Sequence, residues 1–393
     1  MLVLERLSTM SSQPASRREE TVMNRRAFLK ASTAVPVVAA AAQLPGLASI
    51  GRAQQKEFDP RPGAWRTFEI TTRVEVLNPR GVSRLWLPVP SVKAEFQRPI
   101  DNRWSGNART LLVVDDGKHD ARMLYVEFAE SQTAPVAELV SVVQTRSRSL
   151  DWSKKDPAAE SAAGLRAWTA ATALMPTDGI VKDTAVEITS RAGTDLERVK
   201  AVYDWILVNT YREPKVRGCG TGDIVAMLET RNFGGKCGDI NALFVGLLRS
   251  VGVPARDIYG IRVAPSAFGY RALGAGSANI TKAQHCRAEV FLRDYGWVAM
   301  DPADVGKVAR EETSEWLKID HPLVAAVRPK LFGGWEGNWI GFNMSHDVAL
   351  PNATKGGKLA FLMYPQGETA EGRRDSLDPD SFRYTITSRE SKS

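Results

Sequence analysis

Three cysteines are all that the 393 residues contain. The odd number rules out a fully paired disulfide framework and leaves at least one thiol free. Histidine is nearly as scarce, with four. Neither residue type recurs at metal-ligand spacing, so no metal is expected. Gly220-Thr221-Gly222 lacks the rest of a phosphate loop, which removes the one hint of a nucleotide cofactor. Internal repeats are absent, as are low-complexity stretches outside the first 53 residues. Excess charge is also slight. Of the formal +7, residues 1–53 supply +4 through seven Lys/Arg against three Asp/Glu, and the remainder carries only +3. With no interleaved basic and aromatic patch, nucleic acid is not an expected partner.

What is present begins with an address. Asn24-Arg25-Arg26-Ala27-Phe28-Leu29-Lys30 precedes an apolar run, Ala31 to Ala42, that is too short to span a bilayer as a mature helix. The arginine pair followed by Phe-Leu-Lys resembles the bacterial twin-arginine export signal. Cleavage after Gly51-Arg52-Ala53 would leave a periplasmic chain that starts at Gln54 and has no membrane anchor; an uncleaved anchor is the alternative. Met23 stands immediately before the signal, so residues 1–22 are expected to be an upstream extension. A thiol that stays free in an oxidising compartment points to catalysis.

Residues 54–64 form a polar, Pro-containing linker. From 65 to 152 the text alternates with period two, as in Trp65 to Val76, Arg84 to Pro90, Thr110 to Val114, Arg122 to Phe128 and Val136 to Thr145, which predicts a small β-sandwich. The period then lengthens. Helices are expected over 180–191, from Thr194 (whose pairing with Glu197 fits a capping box) to about 209, and from Cys237 to Val251. Strands follow from Ala255. Residues 164–330 are therefore expected to form a core, and 331–393 a β-rich extension packed on it.

The chemistry gathers in two segments. In Gly234-Gly235-Lys236-Cys237-Gly238-Asp239, Cys237 falls in the first turn of an apolar helix, where free N–H groups and the helix dipole favour thiolate. The glycines permit a tight turn and close approach of a substrate backbone. In Gln284 to Asp304, alternation sets Cys286, Ala288 and Val290 on an apolar face, with His285, Arg287 and Glu289 opposite. A turn at Arg293-Asp294 would return Asp301 opposite His285, though Tyr295-Gly296 could shift it. A carboxylate there would orient the imidazole toward a thiol. The structural alternatives are a cysteine capping a core helix, a satisfied histidine and an Asp-Pro turn.

Gly-Lys-Cys-Gly-Asp, then Val253-Pro254-Ala255-Arg256, His285-x-x-x-Glu289-Val290-Phe291 and Gly296-Trp297-Val298-x-x-Asp301-Pro302 resemble the bacterial transglutaminase-like superfamily over roughly residues 195–305. The resemblance implies an α+β, papain-like core, a helix bundle packed on an antiparallel sheet, preceded by the sandwich. It implies Cys237 as nucleophile, His285 as base and Asp301 as orienter, without cofactor. Where the family often has Trp two residues after the histidine, this chain has Arg287.

Acyl transfer through a thioester is the implied chemistry, on a peptide or protein amide such as a cell-wall peptide. Hydrolysis is favoured over protein cross-linking, and a non-catalytic binding module is the alternative of a different class. The Cys237 N–H and Tyr211 are candidate oxyanion donors; Gly235, Arg287 and Trp297 are candidate substrate contacts. Cys219 could pair with Cys286, guard the site from oxidation, or do neither. His346-Asp347 reads as a surface turn or a substrate contact.

Overall fold

Alternation builds the first six strands, β1 (Arg66–Val76), β2 (Ser83–Pro88), β3 (Gln97–Gly106), β4 (Thr110–Asp115), β5 (Arg122–Phe128) and β6 (Val136–Thr145). Phe68, Ile70, Val74 and Val76 of β1 point inward while Arg73 faces solvent. Strand β3 escapes the sequence pattern because it is largely exposed, contains Pro99 and carries a register shift between Pro99 and Asp101. The computed structural model describes residues 57–391 apart from 118 and 120. The segment expected to be an export signal and the expected extension before Met23 lie outside them. Among the described residues no helix is long and apolar enough to cross a membrane.

Helix α1 (Gly179–Thr189) and helix α2 (Asp195–Asn209) follow. The second starts at the expected capping box: Thr194 Oγ1 accepts from Glu197 N at 3.2 Å, and Glu197 Oε2 accepts from Thr194 N at 2.9 Å. Helix α3 (Cys237–Ser250) is buried on every side rather than along one stripe. Its polar residues therefore need internal partners; Arg249 Nε, for example, donates to Ala255 O at 2.8 Å. Gly252, at φ 82°, ends this segment in the left-handed region that a glycine adopts without strain.

Strands β7 (Ala255–Arg262), β8 (Gln284–Leu292) and β9 (Gly296–Met300), helix α4 (Pro302–Glu311) and strand β10 (Trp339–Asn343) complete the core. The antiparallel sheet has the order β9-β8-β7-β10. Helix α3 packs on β7 and β8 and also meets α1, α2 and α4. Leu243, Phe244, Leu247 and Leu248 are fully buried there, each worth about 1.5–3 kcal/mol of apolar transfer. The fold is thus α+β, with helices packed on an antiparallel sheet as the resemblance implies.

The polar side of β8 does not face water. Glu289 bridges Arg148 and Arg256, the latter at 2.7 Å, and Arg287 lies over the rings of Trp335 and Trp339. Alternation had marked a buried ionic layer.

The last strands, β11 (Gln366–Thr369), β12 (Gly372–Arg374) and β13 (Phe382–Ser391), return to the beginning of the chain. One sandwich sheet runs β13-β1-β6-β3 and the other β12-β11-β2-β5-β4. Val74, Leu85, Val126, Leu139 and Phe382 fill the space between them. Residues 331–393 are therefore not simply an extension laid on the core. They supply one strand to the core sheet and three to the sandwich, and the chain from Ala53 onward is one compact unit.

Candidate active site

Cys237 is the first residue of α3. The turn before it is held by Asp239, whose Oδ2 accepts from Lys236 N at 3.0 Å and whose Oδ1 accepts from Thr221 N at 2.8 Å and Gly222 N at 3.0 Å. Gly220, at φ 93°, has to be bare, because a Cβ there would lie 1.8 Å from Asp239 Oδ2. The Gly-Thr-Gly segment thus wraps a carboxylate belonging to the protein. Gly238 N donates to Cys219 O at 2.8 Å, which fixes Cys219 against the start of the helix. The Cys237 N–H, pointing out of the helix start, has no acceptor among the described residues.

All three cysteines are buried and unbridged. Cys219, Cys286 and His285 are the side chains that act on the Cys237 thiol. Hydrogen bonding from Cys219, then from Cys286, outweighs burial, and His285 adds to it, so the thiol is held well below its ordinary value. Its two thiol neighbours move the other way: Cys219 is raised first by its bond to Cys237, and Cys286 first by burial. Of the three, Cys237 is the thiol shifted toward ionisation.

His285 Nε2 stands 2.8 Å from Asp301 Oδ2 and 3.4 Å from Asp304 Oδ1. That leaves Nδ1 as the nitrogen for Cys237. The expected hairpin register is corrected by two residues. Leu292 pairs with Gly296 and Ala288 with Met300, so the turn lies later and Asp301 falls beyond the end of the ladder, not opposite His285. Asp301 reaches the imidazole because it leaves the sheet as the N-cap of α4, with Oδ1 accepting from Asp304 N at 3.1 Å. Gly260 is the residue opposite His285. A Cβ there would lie 2.0 Å from Ile340 O and 2.5 Å from the Trp339 ring, whose Nε1 donates to His285 O at 2.8 Å.

Asp304 was not visible as a site residue in the sequence. It is buried, paired with Arg262, and held below the ordinary carboxylate range: burial opposes its ionisation, but Arg262, His285 and Arg287 overcome it. Asp301 moves up, first through burial and then through the Asp304 charge. Burial and Arg262 press the His285 value down, but Asp304 and Asp301 prevail, so it sits above its ordinary value. Asn241 also went unrecognised. Its Nδ2 donates to Cys286 O at 2.9 Å and its Oδ1 accepts from Ala303 N at 3.3 Å, locking the helix with Cys237 to the strand with His285 and the helix start with Asp301. Its signal was weak: a polar residue one turn after Cys237 in an otherwise apolar helix.

His285, Asp301 and Asp304 set ligand-type atoms within 4.8 Å of one another. Arg262 and Arg287 already occupy the same carboxylates, supplying the positive charge that a metal ion would bring.

The remaining candidates lie elsewhere. Tyr211-Arg212 forms a parallel ladder with Gly234-Gly235, and successive residues point opposite ways. Arg212 lines the cleft with Cys219 and Lys236, whereas the Tyr211 ring lies tilted 5.5 Å from Trp316 and its hydroxyl donates to Asn232 Oδ1 at 3.4 Å, which does not place it as an oxyanion donor. Arg287 is buried, with Nε 3.5 Å from Asp301 Oδ2, and so contacts the orienter rather than substrate. Trp297 pairs with Phe291, about 20 Å along β8 from His285 at 3.3 Å per residue, and donates to Glu160. Gly235 packs against Asp239, where a Cβ would lie 2.7 Å from Asp239 Cβ, so its bareness serves the turn. His346 is no surface turn: it is 3.3 Å from Asp257 and 3.2 Å from Tyr259 Oη, while Asp347 instead accepts from Ala173 N.

A cleft of about 350 Å³ is lined by Lys236 and Gln284, the residues before Cys237 and His285, and by Cys219 and Tyr364 among others. Cys237 and His285 are only 2% and 3% exposed, behind this wall. The Cys219 thiol reaches Cys237 on one side and the Tyr364 hydroxyl on the other.

Cys237 begins α3, His285 lies on β8 and Asp301 caps α4, a helix-and-sheet layout of papain-like type. The sequence profile of the transglutaminase-like superfamily matches residues 182–302. An uncharacterized protein of Haemophilus influenzae is 31% identical over 339 residues, covering 82% of this chain and 91% of its own. The chain belongs to the transglutaminase-like superfamily, and its core is that of cysteine-type enzymes. Among solved structures, a protein named as a candidate cysteine protease from Cytophaga hutchinsonii aligns with TM-score 0.47 and 13% identity, over 84% of this chain and 99% of that one. The periplasmic domain of TgpA from Pseudomonas aeruginosa aligns with TM-score 0.32 and 14% identity, over 68% and 93%.

Proposed function

We propose that this protein is an exported thiol enzyme that cleaves an amide or peptide bond through Cys237, His285 and Asp301. The observation that carries the reading is the buried His285–Asp301 pair, 2.8 Å apart, with His285 among the groups that lower the Cys237 thiol. Thiolate Cys237 attacks the amide carbonyl, and the developing oxyanion meets the Cys237 N–H at the positive end of α3. His285, protonated through Nδ1, gives that proton to the leaving amine as the C–N bond breaks. A thioester remains. Water then attacks it, His285 takes the proton, and the carboxylic acid leaves as the thiolate is restored. Asp301 holds the ring orientation throughout and stabilises its charged form.

Burial of the sulfur supports hydrolysis over cross-linking, because water reaches a thioester at a 2%-exposed residue more easily than the lysine of a second protein does. The twin-arginine-type segment supports export to the periplasm, where cell-wall peptides are the amides at hand. A thiol-directed amide probe tests the reading. It labels wild type and leaves Cys237→Ala unlabelled, whereas an unlabelled wild type points to a binding module. Released amine, with no incorporation of an added primary amine, separates hydrolysis from transamidation.

A further inference from the structure

We propose that the cleft beside Cys237 is a subsite for a carboxylate, so that the enzyme prefers amides bearing a negative charge close to the scissile bond; the placement of that bond rests on the acyl-transfer reading above. Four cations line the cleft, Arg212, Arg217, Lys236 and Lys282, and no carboxylate does. Two of them already have partners: Arg212 meets Glu311 at 2.8 Å and Arg217 meets Asp375 at 2.7 Å. Among the described residues Lys236 and Lys282 form no salt bridge within 4 Å; Glu311 acts on Lys236 from farther away, and Lys282 is exposed. Each stands shortly before one member of the reacting pair. Lys236 directly precedes Cys237, and Lys282 lies three residues before His285.

Glu311 and Asp375 offset part of the charge of the four cations, and the cleft keeps a net positive field. An anionic substrate group offsets it, gaining charge-assisted hydrogen bonds that a neutral isostere cannot make. Tyr364 and Tyr384 also line the cleft and offer ring surface for the stem that carries the charge. A cationic substrate is disfavoured by the same field. The competing explanation is that these lysines serve only to keep Cys237 ionised, and it predicts different behaviour.

The test uses the mature Cys237→Ala protein and three fluorescent tripeptide amides, dansyl-Ala-Glu-Ala and its Gln and Lys counterparts, with binding read by anisotropy. The Glu peptide binds about tenfold tighter than the Gln peptide at low ionic strength. Salt narrows that gap, and Lys236→Gln and Lys282→Gln in the same background each reduce it. The Lys peptide binds weakest. Equal affinity for Glu and Gln, or a preference untouched by both lysine changes, overturns the proposal. A second measurement needs no peptide: alkylation of wild-type Cys237 by iodoacetate relative to neutral iodoacetamide. That ratio falls in Lys282→Gln if the cleft draws anions, and stays constant if the lysine only supports the thiolate. Because Cys237→Ala binds without chemistry, failure here leaves acyl transfer standing, and probe labelling of wild type judges that reading separately.

Discussion

At the scale of single residues, an ordinary thiol is largely protonated at neutral pH, and a nucleophile needs neighbours that change this. Around Cys237 the first of those neighbours is Cys219, whose S–H stabilises the thiolate more than any other group does. Cys219→Ala therefore shifts the pH midpoint for alkylation of Cys237 by iodoacetamide upward, while the plateau rate at high pH changes little. Asp301 does two jobs, capping α4 and holding His285. Asp301→Asn keeps a capping oxygen but loses the negative charge that helps raise the His285 value. Its effect is on rate and pH. Activity falls by roughly two to four orders of magnitude, and in the pH profile of kcat/KM the alkaline limb, where imidazolium loses its proton, moves to lower pH. The acid limb belongs to thiolate protonation. Lowering of the Cys237 value and raising of the His285 value broaden the plateau between the limbs in wild type.

At the scale of elements, the site depends on how α3 begins and how α4 begins. Asp239 gathers three backbone N–H groups into one carboxylate. Asp239→Ala leaves these donors without an acceptor and costs about 3 kcal/mol or more in urea unfolding, whereas Asp239→Asn costs less. An Ala variant as stable as wild type would show that the loop before Cys237 is held by other means. This scale also marks the limit of what the sequence makes legible. Helix α3 and its nucleophile are readable because the glycine turn, the apolar run and the Gly252 stop are all local. Asp301 is readable as a partner of His285, but by the wrong route, since a hairpin count cannot foresee that the chain leaves the sheet to cap a helix. Asn241 and Asp304 are hidden because their partners, Cys286 and Arg262, are tens of residues away. Tyr211 misleads because alternation in a two-residue ladder decides which neighbour faces the cleft, and it chooses Arg212.

At the scale of the whole molecule, the ends of the described chain meet. Thr67 pairs with Ser391 and Val76 with Phe382, and Arg66 bonds Glu390 at 2.8 Å across 324 residues. No periodicity in residues 65–152 announces that their sheets need strands from the far terminus, because pairing at that separation leaves no local trace. The same C-terminal stretch supplies Tyr364 and Leu377 to the cleft wall, so sandwich and site share one segment. A stop codon at Phe382 removes β13 and a side chain from the sandwich core. It exposes the full edge of β1, and the truncated protein loses its cooperative thermal transition. Retention of the wild-type Tm would show instead that the sandwich closes without its last strand.

All of the proposed chemistry depends on Cys237 being ionised when His285 is protonated. The ultraviolet absorbance of the thiolate, taken as the difference between wild type and Cys237→Ala across a pH titration, reads this directly. Wild type shows the thiolate signal well below the ordinary thiol value of 9.0, with a midpoint that rises in His285→Ala; a midpoint at or above that value, unmoved by His285→Ala, would contradict the account.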